Sequence, residues 1–187
     1  MNYRPLTDVW ILARPKVKYY GAYPAGFLHR AMILLGVGPS GKVLHVCAGK
    51  VRDYPYRGMG VFHRTLDLDP ATEPDYLQDA REPFPKPPSL FVRTPPDDGW
   101  DAILIDPPYT GEDAERYVPG GEVLPTANEL LRNGIAAVLP GHRVGMLHYL
   151  WPQPPKNAKE VAVVAVGCGR NQRARWFTVF ERDGVSA

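Results

Sequence analysis

The chain is poor in cysteine, in long apolar runs and in blocks of one charge, and each shortage removes a class of protein. Two cysteines in 187 residues, Cys47 and Cys168, lie far apart and each inside an apolar run. That pattern excludes a disulfide framework or a cysteine metal knuckle and fits reduced, buried thiols, so no metal site is expected. No stretch reaches the roughly 20 apolar residues that span a bilayer, and the N-terminus lacks the charged, apolar and small-residue order of a secretory signal. A cytoplasmic protein without a membrane partner is the expectation. Lys and Arg number 22 against 20 Asp and Glu, a net charge of +2 with no polybasic tail. This permits a phosphate-bearing partner without requiring one. No internal repeat is visible. With 44% hydrophobic side chains the chain has material for one ordinary core, and residues 1–187 are read as a single domain.

Proline and glycine, 21 and 18 in number, punctuate the chain. In "YPAGFLHRAMILLGVGPSG" Pro24 opens a stretch in which Phe27, Ala31, Leu34 and Leu35 share a stripe and Gly36 and Gly38 close it, the pattern of a helix. "GKVLHVCAGK" follows as a short continuous apolar run closed by Gly49, the pattern of a strand buried on both faces. Further strands are expected at "GVFHRTLDLDP", briefly near "DYLQDA", and at "WDAILID". "TANELLRNGIAAVLP" reads as a helix entered through Thr126, leading past Pro140 and Gly141 into the strand "RVGMLHYLW". "EVAVVAV" and "RARWFTVFERD" are two β-rich runs separated by "GCGRNQ". Strands alternating with helices imply an α/β fold with a mostly parallel sheet, and the last two runs imply an antiparallel C-terminal edge hairpin. The proline-rich stretches "EPFPKPPSLFVRTPPDDG" and "WPQPPK" read as stiff surface connections.

In such sheets ligands sit outside the carboxyl ends of the strands, where the strand order reverses. The first buried strand ends in Cys47-Ala48-Gly49, the second in Asp67-Leu68, Asp79-Ala80 follows the short third segment, and the fourth strand ends in Asp106. Singly, Gly49 could be a tight turn and Asp67 or Asp69 a cap before Pro70. Together they place a glycine and three carboxylates at one crevice. An acid just after the second strand can accept hydrogen bonds from two ribose hydroxyls at once, which points to a nucleoside cofactor. No Gly-x-Gly-x-x-Gly follows the first buried strand, which speaks against a nicotinamide dehydrogenase.

The fourth strand runs straight into "DPPY", Asp106-Pro107-Pro108-Tyr109, after "KVLHVCAGK", "TLDLDP" and "QDAREPF" in that order. Over roughly residues 40 to 152 this resembles the class I S-adenosylmethionine-dependent methyltransferases, specifically the amino-methyltransferases with an Asp-Pro-Pro-Tyr motif, and "YYGAYPAG" at 19–26 is similar to the segment upstream of the glycine motif in adenine-N6 methyltransferases. The resemblance implies a single Rossmann-like methyltransferase domain, with residues 1–39 an N-terminal segment and helix packing on the cofactor site and residues 40–187 the core sheet. It implies S-adenosyl-L-methionine as cofactor, held by Tyr19, Tyr20 and Gly21 at the methionine end, by Cys47, Ala48 and Gly49 in the glycine turn, by Asp67 and Leu68 at the ribose, and by Asp79 and Ala80 near the adenine ring. Asp106, Pro107, Pro108 and Tyr109 are the implied catalytic residues. The pattern departs from the family in the first strand, where His45 stands in place of an acid, and after the turn, where Lys50 and Val51 follow Gly49 without a second glycine. His45, like His148 in "MLHYLW", is either a packed strand histidine or a group of the site.

The chemistry accounts for the residue types. An exocyclic base amine is a weak nucleophile because its lone pair is delocalised into the ring. Asp106 and the Pro107 carbonyl accept its N–H groups, prolines fix φ and add no donor of their own, and Tyr109 offers a stacking face for a flipped base. No covalent intermediate is needed, and the Pro-Cys pair of cytosine-C5 enzymes is absent from the chain. The expected activity is methyl transfer to a nucleobase amine, adenine N6 in DNA before an RNA amine or cytosine N4, with nucleic acid as partner and DNA favoured over RNA. A cofactor-binding pseudo-enzyme subunit that pairs with a recognition partner is the competing reading, and a homodimer the other assembly considered. Arg52, Arg57, Arg64, Arg116, Tyr117 and the segment "GRNQRARW" are candidate polymer contacts or, equally, solvated loop charges. The stretch from Gly49 to Asp106 leaves no room for a recognition insert. Methylation rates on oligonucleotides should therefore show weak sequence preference, favour single-stranded substrate that costs less to flip, and fall steeply with added salt. Salt-insensitive activity confined to one short duplex motif would contradict this.

Overall fold

The computed structural model describes residues 4–14, 22–53, 59–88, 98–109, 111, 124–169 and 173–184. Its elements are β1 (Leu6–Ile11), α1 (Phe27–Leu35), β2 (Val43–Val46), β3 (His63–Asp67), β4 (Tyr76–Leu77), β5 (Trp100–Ile105), α2 (Ala127–Ala137), β6 (Val138–His148), β7 (Ala158–Gly167) and β8 (Arg175–Arg182). The strands form one sheet in the order β1-β7-β8-β6-β5-β2-β3-β4. β4, β3, β2, β5 and β6 run parallel, β1 lies parallel to β7, and β8 is antiparallel to both β6 and β7. From β2 the chain moves outward through β3 and β4, then returns to β5 on the other side of β2, so the order reverses between β2 and β5.

Period-two alternation sends neighbouring residues to opposite faces, and both faces of the central strands are apolar. Val43, Ala102, Leu104 and Leu147 meet Phe27, Leu28, Ala31 and Leu35 of α1 on one face. Leu44, Val46, Ile103, Ile105, Val144 and Met146 meet Leu130, Leu131 and Ile135 of α2 on the other. Each large side chain removed from water in this way contributes about 1.5–3 kcal/mol before conformational entropy is counted. α1 closes on Gly36 at φ 71°, its N–H returning to the Ile33 carbonyl at 3.0 Å. α2 opens with a reciprocal capping box between Thr126 and Glu129. No helix among the described residues is long and apolar enough to cross a membrane.

The mostly parallel α/β sheet with an antiparallel C-terminal portion is as the sequence implies. Two features add to it. β1 lies outside β7, so the C-terminal hairpin is flanked by one more strand. β6 begins directly after α2 at Val138, and its pairing with β5 jumps from Trp100↔Val138 to Ala102↔Arg143, with Gly141 at φ 75° inside the irregularity. The proline-rich connection from β6 to β7 contains no helix. Trp151 in it packs on Trp176 at 5.4 Å and donates through Nε1 to Glu160 at 2.6 Å.

His45 is fully buried in β2 and shares a hydrogen bond with His63 of β3, Nε2 to Nδ1 at 2.9 Å. Its own Nδ1 has no hydrogen-bond partner among the described residues. Burial pushes the His63 imidazole down to about 4, and burial, then His63 and Arg52, push His45 well below its ordinary value. The unfolded chain takes up protons near pH 6.5 that the folded pair refuses, so stability is full at neutral pH and is lost as pH falls from about 6.5 to about 4. For His63 alone the loss is at most about 3 kcal/mol. Melting temperatures measured from pH 7.5 to 4.5 should fall through that window, and less steeply in a double His45→Leu, His63→Leu variant. Parallel curves for the two proteins contradict the assignment.

Candidate active site

β2 and β5 pair in register from Val43↔Ala102 to Val46↔Ile105, so the residues that follow each strand, Cys47 and Asp106, leave the sheet side by side. The Asp106 N–H donates to the Val46 carbonyl at 3.2 Å, and the Ala48 N–H to the Leu66 carbonyl at 3.3 Å. Asp106 thus ends a strand whose last four residues are buried. Pro107 is buried behind it, and Pro108 and Tyr109 are half-buried.

The Tyr109 hydroxyl donates to Asp106 Oδ1 and accepts from Arg175 Nη1 at 3.1 Å. The Tyr109 ring packs against Tyr149 at 4.5 Å and edge-on to His148 at 5.4 Å. The Arg175 guanidinium lies 5.9 Å from the Tyr109 centroid, and the Arg173 guanidinium 5.8 Å from that of Tyr149. Burial pushes the Asp106 carboxyl up to about 6, against the opposing pull of Arg175 and the Tyr109 hydroxyl. Burial and then Asp106 hold the Tyr109 hydroxyl well above its ordinary range. For Arg175 burial acts downward, but Tyr109 and Asp106 outweigh it, and the guanidinium is held as a cation.

The glycine turn stands on the neighbouring acid. The Gly49 N–H, at φ 50°, donates to Asp67 Oδ2 at 2.8 Å, and the Asp69 N–H donates to Oδ1 at 3.0 Å. A carboxylate offers about four lone-pair positions, and with the backbone N–H of Leu68 also bearing on it Asp67 keeps acceptor capacity for a further donor. Among the described residues nothing lies within 4 Å of the place a Gly49 side chain would occupy. Leu68 beside it is 47% exposed. Burial raises the Asp67 carboxyl, opposed by its backbone donors.

Cys47, at φ 54°, sits among the three acids. Burial first, then Asp67, Asp106 and Asp79, raise its thiol well above the ordinary range. Asp79 takes the Arg81 N–H at 2.8 Å on one oxygen and the Arg81 guanidinium on the other, so much of its hydrogen-bonding capacity is spent within its own loop. Ala80 is buried in the layer beneath α2, where Asn133 Nδ2 donates to the carbonyls of Ala80, Arg81 and Glu82. The three acids named from the sequence therefore meet at one end of the sheet, around Cys47.

Other candidates fall elsewhere. Tyr19, Tyr20, Gly21, Arg57, Arg116, Tyr117 and Arg170 lie outside the described residues. Arg52 and Arg64 both pair with Asp75, whose carboxylate also takes the Thr65 N–H at 2.7 Å. His45 is enclosed in the core, whereas His148 borders the site with Nδ1 accepting the Leu150 N–H at 2.8 Å. The sequence reading missed Tyr149 and offered Arg175, within "GRNQRARW", only as a polymer contact or a solvated charge. The signal for Arg175 was available, because the alternation Arg175, Phe177, Val179 turns it to an inward face of β8.

No protein-family model matches the chain, and no curated protein matches it in sequence. Solved structures do match. TrmN from Thermus thermophilus superposes with a TM-score of 0.54 at 18% identity, over 83% of this chain and 48% of that one. A Streptococcus mutans protein described as a SAM-dependent methyltransferase superposes with a TM-score of 0.51 at 11% identity, over 86% of this chain and 50% of that one. The chain spans about half the length of both. The fold is that of Rossmann-like methyltransferases.

Cys47 is half-buried where its apolar run implies burial, and Cys168 is buried. An acid-flanked thiol held in its protonated form is a poor nucleophile, since the thiolate is the reactive form. Iodoacetamide at pH 8 should alkylate Cys47 more slowly in the native protein than in the urea-unfolded chain, as read by peptide mass spectrometry. Equal or faster native labelling contradicts the electrostatics described above.

Proposed function

We propose that the chain is an S-adenosylmethionine-dependent methyltransferase acting on an exocyclic amine of a nucleobase, adenine N6 in DNA being the favoured target. The observation that carries this reading is the adjacency, across the β2/β5 switch point, of an acid-supported glycine turn and the half-buried carboxylate of an Asp-Pro-Pro-Tyr turn. The fit to the cofactor rests on Asp67, whose carboxylate keeps acceptor capacity for a ribose hydroxyl, on the space before Gly49 that the described residues leave open, and on the exposed Leu68 as an apolar surface beside it. Tyr19, Tyr20, Gly21 and Ala48 complete the proposed cofactor contacts, with Asp79 limited by its bonds to Arg81. When bound, S-adenosylmethionine supplies an electrophilic methyl group to a nucleophile by direct displacement.

The chain's residues prepare the nucleophile. Asp106 and the Pro107 carbonyl accept the amine N–H groups, which favours a pyramidal nitrogen with an available lone pair. Pro107 and Pro108 hold those acceptors with little freedom to lose, so the arrangement costs little reorganisation on the way to the transition state. Tyr109 and Tyr149 give the flipped base an aromatic wall, and Arg173 beside Tyr149 is placed for a phosphate of the same strand. Because protonation costs Asp106 its charge and one acceptor oxygen, turnover should fall below about pH 6. The engagement of Arg52 and Arg64 by Asp75 takes two cations from the proposed polymer grip and favours a recognition partner in the second reading.

Asp106→Asn keeps size and shape but loses charge and one acceptor. Single-turnover methylation of an adenine-containing oligonucleotide should drop by about 10² to 10³, with cofactor affinity and melting temperature near wild type. Asp67→Asn should instead weaken binding of S-adenosylhomocysteine in calorimetry by about 1.5 to 3 kcal/mol. Wild-type turnover in the first variant, or wild-type affinity in the second, removes the corresponding assignment.

A further inference from the structure

Arg175 is where β8 meets the Asp106 corner. It opens β8 on the side of Phe177 and Val179, and its strand lies next to β6, whose end supplies His148 and Tyr149. Three groups form a chain in space. Arg175 Nη1 donates to the Tyr109 hydroxyl at 3.1 Å, and that hydroxyl donates to Asp106. A phenol has one proton to give, so a tyrosine that donates to Asp106 is fully used only if another donor reaches its oxygen, and Arg175 is that donor. The rigid guanidinium fork can grip the hydroxyl and still lie near the ring.

We propose that Arg175 is a positioning residue for the amine-accepting site: it clamps the Tyr109 hydroxyl, which fixes the stacking ring, and supplies the countercharge that keeps Asp106 an anion. The proposal rests on the reading of Asp106 and Tyr109 as the amine acceptor and base platform. It explains how a carboxylate can end an apolar strand and stay charged without a backbone N–H donor among the described residues. The other groups around Asp106 do not substitute for it. Cys47 at the end of β2 is held as a neutral thiol, with Asp67 and Asp79 also bearing on it. Burial holds His148 at the end of β6 below its ordinary value, toward the neutral form, and Tyr149 contributes its ring. Arg173 is directed to Tyr149. The arrangement also gives the Tyr109 hydroxyl a partner on each side, so Tyr109→Phe cuts the chain while keeping the stacking face.

The test follows the Asp106 carboxyl directly by carbon-13 NMR of protein labelled at aspartate carboxyls, with Asp106→Asn identifying its signal, alongside the pH profile of turnover. In Arg175→Gln the Asp106 titration and the acid limb of turnover should both move upward by about one pH unit, the lower end of what an adjacent opposite charge contributes. Arg175→Lys keeps the cation and loses the fork, so its titration should stay near wild type while kcat/KM falls. Should Arg175→Gln not fold, Arg175→Met, which also removes the cation and the fork, carries the same test, with an upward move expected. An Asp106 titration unchanged in whichever of the two folds overturns the proposal whatever the substrate. An upward move in a wild-type background that transfers no methyl to any oligonucleotide leaves the Arg175–Asp106 coupling standing and overturns its assignment to methylation.

Discussion

A carboxylate at the end of a strand buried on both faces has to be matched by donors or charge, or it takes up a proton and loses its use. β5 carries an acid near each end, and the two are matched differently. Asp101 at the entry takes the Lys42 N–H at 2.7 Å and has the Lys42 ammonium at 3.8 Å, a closed arrangement that joins β5 to the approach to β2. Asp106 at the exit is met among the described residues by side chains alone, a phenol and behind it a guanidinium. Backbone donors would fix Asp106 permanently, whereas side-chain donors leave an acceptor that an incoming amine can share. Much of the upper part of the fold serves this requirement. β8 has to lie between β6 and β7 for its first residue to reach Tyr109, and the extended β6–β7 connection, with Trp151 on Trp176, lets that order form without another helix.

The second acid at the switch point has the opposite character. Asp67 is built into the backbone of the glycine turn through the N–H groups of Gly49 and Asp69, so it shapes the turn. Asp79 is held by Arg81 and belongs more to its loop, which Asn133 of α2 pins from below. Three carboxylates close enough to act on one thiol are kept distinct by what each is bonded to. The topology accounts for their meeting, since parallel strands diverge at a switch point and leave a crevice where their ends can share a ligand.

Much of this is legible in the sequence. The helix stripe from Phe27 to Leu35, the apolar runs of β2 and β5, the helix entry at Thr126, and the acids at strand ends are local patterns with local causes. β1 was not legible, because only Trp10 of its six residues is buried and the strand exists through long-range pairing with β7. The early start of β6 was hidden by Pro140 and Gly141, which read as a break and are instead absorbed in a pairing irregularity. Arg175 carries a local signal in its alternation with Phe177 and Val179, but its partner Tyr109 does not, and the fates of Arg52 and Arg64 depend on Asp75, near in space and unremarkable in the chain. Pairings that cross the sheet carry no local signature, and these are the parts that the sequence left open.

The central proposal is that Asp106 presents a charged acceptor to a nucleobase amine beside a nucleoside cofactor. Its most direct measurement is mass spectrometry of nucleosides digested from DNA and RNA oligonucleotides after incubation with the protein and methyl-labelled S-adenosylmethionine. The account predicts label on the exocyclic nitrogen of adenine, more in DNA than in RNA. Label on a ring carbon, or cofactor binding with no label on any nucleoside, contradicts it.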